Sequence, residues 1–185
     1  MFKGWYWMTT ETGAVVLTVL ALPLAALVMC ALALHRRRAG VISPWRNSLA
    51  DVGLVYGTVP WLWIVLMPGA FAGEVPGRVS LVPFADLLDM KVLGIVGNLL
   101  VFAAVGCFAP LRFPALASLK RIVFLAAGCS ALVEILQFVL RLDRVSSVDD
   151  VLLNTVGAGL AALASRRWWR AQAAAEDTAA IYQPV

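Results

Sequence analysis

Five long apolar runs alternate along the chain with short stretches that hold most of its charged residues. The runs cover about 13–34, 48–68, 92–110, 122–140 and 150–165. Each approaches or exceeds the roughly 18 apolar residues that a helix needs to cross hydrocarbon. The pattern predicts an all-α, polytopic membrane helix bundle with about five transmembrane helices. Pro23 and Pro60 fall inside the first and second runs, where kinks are expected. Gly53 and Gly57 form a G-x-x-x-G pair that permits close helix contact. From Gly69 to Lys91 the chain turns polar around a moderately apolar SLVPFADLLDM. That segment is too short to span and is expected to lie in the interface. The pattern divides the chain into two N-terminal helices with their flanks (1–79), a three-helix core (80–165) and a tail (166–185).

Composition agrees: 62% of residues are hydrophobic, 14% are charged, and mean hydropathy is +0.86, outside the range of soluble domains. The net charge of +4 does not call for nucleic acid, because Lys and Arg of membrane proteins collect in cytoplasmic loops. With the N-terminus outside and the C-terminus cytoplasmic, ten Lys/Arg fall on inner segments (Arg36, Arg37, Arg38, Arg46, Arg112, Lys120, Arg121, Arg166, Arg167, Arg170) and five on outer ones. The basic cluster His35–Arg38 follows the first apolar run instead of preceding it, unlike a signal peptide. Trp5, Tyr6 and Trp7 suit the headgroup level. Cys30, Cys107 and Cys129 lie within apolar runs without metal or redox spacing and read as small core residues. Asp51 is expected at the inner interface.

The polar residues inside the runs converge in depth. Glu134 and Gln137 precede Arg141 by seven and four residues, roughly 10 and 6 Å below the outer end at 1.5 Å per residue. Asn98 follows Lys91 by seven residues and Asn154 follows Asp150 by four, again roughly 10 and 6 Å deep. Glu134 and Gln137 share a helix face, as do Asp150 and Asn154. Asn98, Glu134, Gln137, Asp150 and Asn154 are therefore expected to line one outward-opening cavity, beneath a loop carrying Arg141, Asp143, Arg144 and Asp149. Ser147-Val148-Asp149-Asp150 also fits a capping box, leaving capping and function both open for the two acids. For Glu134 the structural alternative is an ion pair with Arg141 or Arg144. Intramembrane ionisable groups are nonetheless functional candidates.

Asn98-LLVFAAV-Gly106, Glu134-IL-Gln137 and Arg144-VSSVDDVLLN-TV-Gly157, with Pro83-Phe84 upstream, resemble the VanZ-like family in order and spacing, over roughly Ser80 to Ala164. Val145-Ser146-Ser147 departs from the aromatic-acidic sequence common there. The resemblance implies a cell-envelope protein; the founding member is associated with low-level teicoplanin resistance in Gram-positive bacteria. The leading expectation is a binding protein in the cell membrane for a lipid, a lipid-linked cell-wall precursor or a lipoglycopeptide. Asn98, Glu134, Gln137, Arg144, Asp149, Asp150 and Asn154 would form its site, with Arg144 available to a phosphate and no cofactor or metal. One alternative is an intramembrane enzyme using Glu134 with Asp149 or Asp150 as acid and base, where an oxygen-only site would suit Mg²⁺ or Ca²⁺. A second is a structural or assembly protein whose polar residues lock helices together.

Overall fold

The computed structural model describes residues 10–181, with side chains over 10–171. Trp5, Tyr6 and Trp7 lie outside the described residues. Five helical spans are long and apolar enough to cross a membrane, and among the described residues the remaining regular structure is two short strands and one 3₁₀ turn.

The first helix, α1 (Glu11–Arg38), begins at Thr10, whose side chain accepts the Gly13 N–H at 3.1 Å. It ends in His35, Arg36, Arg37 and Arg38, cations placed where the helix dipole is negative. Leu20 and Leu27 are 68% and 67% exposed; in an apolar span this is a lipid-facing surface. Helix α2 (Pro44–Val65) carries Pro44 in its first turn, where the missing N–H costs nothing. The G-x-x-x-G pair gives the expected close contact: a Cβ on Gly53 would meet the Phe108 ring at 2.6 Å, and one on Gly57 the Ala104 methyl at 2.6 Å.

The third span is not continuous as its composition suggested. It divides at Phe102 (φ −113°, ψ 12°) into α3 (Val92–Val101) and α4 (Ala103–Arg112). A Cβ on Gly157 would lie 1.9 Å from the Leu99 carbonyl oxygen, and one on Gly106 would lie 2.0 Å from that of Ala158. The break lets both halves run at backbone contact with the last helix. After a 3₁₀ turn (Pro114–Leu116) comes α5 (Leu119–Val139).

The last helix, α6 (Val148–Ile181), extends well beyond the expected 150–165. No Gly or Pro follows Gly159 until Pro184, and Ala, Arg and Gln favour helix, so the Arg–Trp group 166–170 lies within the helix. Fully buried Ala158 and Ala162 of α6 pack in one core with Val101, Phe102, Ile122 and Ala126. Small residues at such contacts let backbones approach and gain dispersion energy where lipid supplies no hydrophobic drive.

At one end of the bundle, Asp51 takes Arg36 through Oδ2 and Arg112 through Oδ1, each at 2.5 Å, tying α1, α2 and α4 together. At the other end, two segments expected to be loops pair as parallel strands β1 (Arg78–Ser80) and β2 (Val145–Ser147). Their register aligns Arg78 with Val145 and Ser80 with Ser147. Three residues per strand are too few to show alternation in sequence.

Candidate functional site

A cavity of about 330 Å³ lies where α2, α3, α5, β2 and α6 meet. Asn98, Glu134, Gln137, Arg144, Asp150 and Asn154 all line it, so six of the seven residues singled out from sequence come together. The seventh, Asp149, does not line it. Its carboxylate is 2% exposed and accepts the backbone N–H groups of Phe84, Asp86 and Leu87 at 2.6, 3.0 and 3.0 Å. Phe84 is held there in the left-handed region (φ 66°), unusual for an aromatic residue. Asp149 thus folds the 80–90 segment onto the start of α6 and satisfies three amides at once.

The adjacent Asp150 turns the other way and takes the Asn98 amide N–H on Oδ1. The capping box is only half made. Ser147 Oγ accepts the Asp149 N–H at 3.1 Å, while the Asp150 side chain goes to Asn98 instead of reaching back to the cap.

Glu134 is 8% exposed and forms no ion pair with Arg141 or Arg144. Its Oε2 accepts the Ser147 N–H at 3.0 Å, and its carbonyl accepts the Ser146 hydroxyl at 2.8 Å. Arg144 instead donates from Nε to the Met67 carbonyl at 3.2 Å and from Nη2 to Ile64 at 3.1 Å and Glu11 at 3.3 Å. Gln137 Nε2 donates to Val65 at 2.8 Å. Both side chains serve carbonyls at or just past the end of α2; that of Ile64 also accepts the Met67 N–H at 3.3 Å.

Asn154 donates to Ser130 Oγ at 2.7 Å. Its Oδ1, on a residue 3% exposed, has no hydrogen-bond partner. A buried acceptor left unsatisfied costs about 1–3 kcal/mol.

Sequence reasoning missed Ser130 and Arg78, and placed Asp143 only in the loop over the cavity. Ser130 stands four residues before Glu134, on the same face, a spacing that was the signal able to find it. Arg78 and Asp143 also line the cavity and pair at 3.4 Å, but only the strand pairing brings them together. Outside the spans, Asp86 accepts the Ser147 hydroxyl at 2.5 Å. That hydrogen bond, with a further one from Ser80, holds its carboxyl below the usual value. Among the described residues no three His, Cys, Asp or Glu gather closely enough to hold a metal ion.

A second hollow, an apolar groove of about 280 Å³, lies beside the cavity and is lined by Val79, Leu81, Ile135, Phe138 and Val151. Glu134 is common to both.

A family model described as VanZ/LLP1 matches residues 54–169. This interval takes in the cavity, the strand pair and most of α2. No curated protein and no solved structure matches the chain.

Proposed function

The chain belongs to the VanZ/LLP1 family, and on that premise we propose that this multi-pass membrane protein binds an amphiphilic ligand of the cell envelope in its polar cavity. One observation carries the reading. Within membrane-spanning segments, two carboxylates without a cationic partner face a cavity that also holds the unpartnered Asn154 Oδ1. Hydrocarbon penalises such groups strongly, and a bound polar group would offset that penalty. The adjoining apolar groove suits a chain attached to the same ligand. The Lys/Arg asymmetry supports placing the Arg36–Asp51–Arg112 end in the cytoplasm, so that the cavity belongs to the outer leaflet of the cell membrane. A lipid, a lipid-linked wall precursor or a lipoglycopeptide would all reach it from there.

A structural reading is favoured for part of the set. Asp149, Gln137 and Arg144 are occupied with backbone groups and hold the 80–90 segment and the end of α2 in place.

The test uses Glu134→Gln and Asp150→Asn, near-isosteric changes that keep an oxygen for Ser147 N–H and for Asn98. Lipids and small molecules co-purifying with each protein are compared by mass spectrometry, alongside lipoglycopeptide susceptibility of the cells. The expected result is loss of a specific species at normal protein level. An unchanged profile and unchanged susceptibility would refute binding, and abundance falling in step with phenotype would favour the structural role for Glu134 and Asp150 too.

A further inference from the structure

The geometry points to a primary ammonium as the group this cavity takes, carried either by a lipid head or by a free amine. The inference rests on the binding reading above and narrows its ligand. It comes from sorting the cavity's hydrogen-bonding groups into those already used and those still open.

Each amide has an N–H engaged. Asn98 gives its N–H to Asp150, Gln137 to Val65 and Asn154 to Ser130. The cations are partly used as well. Arg78 pairs with Asp143, and Nε and Nη2 of Arg144 go to Met67, Ile64 and Glu11. What stays open is acceptor capacity. Glu134 engages only Oε2 and Asp150 only Oδ1, leaving one oxygen of each without a protein partner. Asn154 Oδ1 is buried and has none. No Lys or Arg lies within ion-pair distance of Glu134 or Asp150 among the described residues. Two carboxylates with an open oxygen each, beside the buried open oxygen of Asn154, favour a donor-rich cation.

Three further observations select among cations. The open protein oxygens fall short of the roughly six to eight that Ca²⁺ takes. The volume of about 330 Å³ is about ten times the ~30 Å³ share of one water, too roomy for a bare monovalent ion and suited to an organic head. No aromatic ring lines it, whereas quaternary ammonium groups are recognised by aromatic cages. An –NH₃⁺ group brings three N–H donors, which the open oxygens of Glu134, Asp150 and Asn154 can accept. Arg144 on the same wall has Nε and Nη2 committed to the end of α2 and to Glu11 and makes no ion pair with Glu134 or Asp150.

The experiment uses the full chain in phosphatidylcholine nanodiscs. Phosphatidylethanolamine or phosphatidylglycerol is added as guest at equal mole fraction, and retained lipid is read by native mass spectrometry. Ethanolammonium, choline and Na⁺ chlorides at matched ionic strength are titrated separately, with the thermal midpoint as readout. Phosphatidylethanolamine retained about tenfold over phosphatidylcholine, or a midpoint rise with ethanolammonium that choline and Na⁺ do not give, supports the ammonium. The first result assigns it to a lipid head and the second to a free amine. Either signal should fall about tenfold in Asp150→Asn and in Glu134→Gln. Choline or Na⁺ matching ethanolammonium, or phosphatidylethanolamine retained no better than phosphatidylcholine with no midpoint response, overturns the inference. Preferred retention of phosphatidylglycerol, abolished by Glu134→Gln, overturns the ammonium while leaving the binding reading intact. No retained guest and no midpoint response overturns the ammonium, while the binding reading stands or falls on the co-purification comparison above.

Discussion

Asp51 and Asp150 are both acids inside spanning helices, at opposite ends of the bundle, and they are treated in opposite ways. Asp51 receives a guanidinium on each oxygen. Asp150, with Glu134 nearby, receives only a neutral donor on one oxygen. Arginine is not lacking at the second end: Arg144 lines the cavity, yet its Nε and Nη2 serve the end of α2 and Glu11. A saturated carboxylate ties helices together and has little left to offer a ligand. An unsaturated one weakens the fold slightly and retains the capacity to bind. The contrast recurs one residue apart, since Asp149 is saturated by three backbone amides while Asp150 is not.

The sharpest way to break this comparison is to neutralise each member of that adjacent pair. Asp149→Asn turns one acceptor oxygen into a donor facing backbone N–H groups, inside a site only 2% exposed. The expected loss is about 3 kcal/mol, the scale of buried hydrogen bonds to a charged group. It should be accompanied by protease sensitivity of the 80–90 segment. Asp150→Asn removes a carboxylate that has no ion pair and keeps the oxygen that Asn98 uses, so its cost should stay within about 1 kcal/mol. Denaturation in mixed micelles measures both. Equal losses would erase the distinction between saturated and open acids.

Part of this was readable from the chain. The five spans were legible because hydrocarbon thickness imposes a length that composition reports directly. The meeting of Asn98, Glu134, Gln137, Asp150 and Asn154 was legible because helical rise converts spacing into depth. What spacing could not supply was direction around the axis. Asp149 and Asp150 differ by about 100° on the helix, and only the partnership of Asp150 with Asn154 at i, i+4 hinted which of them faced the cavity. The strand pair escaped because three residues carry no period. The break at Phe102 escaped because its cause is backbone contact with α6 at Gly157 and Gly106, a tertiary demand with no local mark. The fate of Arg144 depended on the end of α2, far away in sequence.

A smaller effect tests the saturated end. Asp51→Asn leaves Arg36 and Arg112 without their shared anion. These side chains are 22% to 39% exposed, so solvent screens the interaction and the expected cost is about 1 kcal/mol. The difference from the unaltered protein should narrow as salt is raised toward 1 M, where the Debye length shrinks to about 3 Å. A cost independent of salt would mean that Asp51 acts through packing and not as an ionic clamp.

The smallest expected effect concerns Asp86, which sits between the two cases. It lies outside the spans, and its carboxylate accepts the Ser147 hydroxyl at 2.5 Å, which holds its pKa below the ordinary 3.8, with Ser80 assisting and burial opposing. A depressed carboxyl contributes stability that is present above its unfolded value and is lost as pH falls through its folded value. The window therefore lies on the acid side of about 4, and neutral pH leaves the contact intact. Thermal midpoints of the unaltered protein and Asp86→Asn, followed from pH 6 down to pH 3, should differ by a constant amount until the acid end and converge there. Because Ser147 also donates its N–H to Glu134 and accepts the Asp149 N–H on Oγ, loosening Asp86 acts on the strand that forms one wall of the cavity. If ligand retention also falls in that acid window in the unaltered protein but not in Asp86→Asn, the wall is coupled to the site through Ser147. If retention is the same in both, Asp86 belongs with the saturated acids and serves the fold alone.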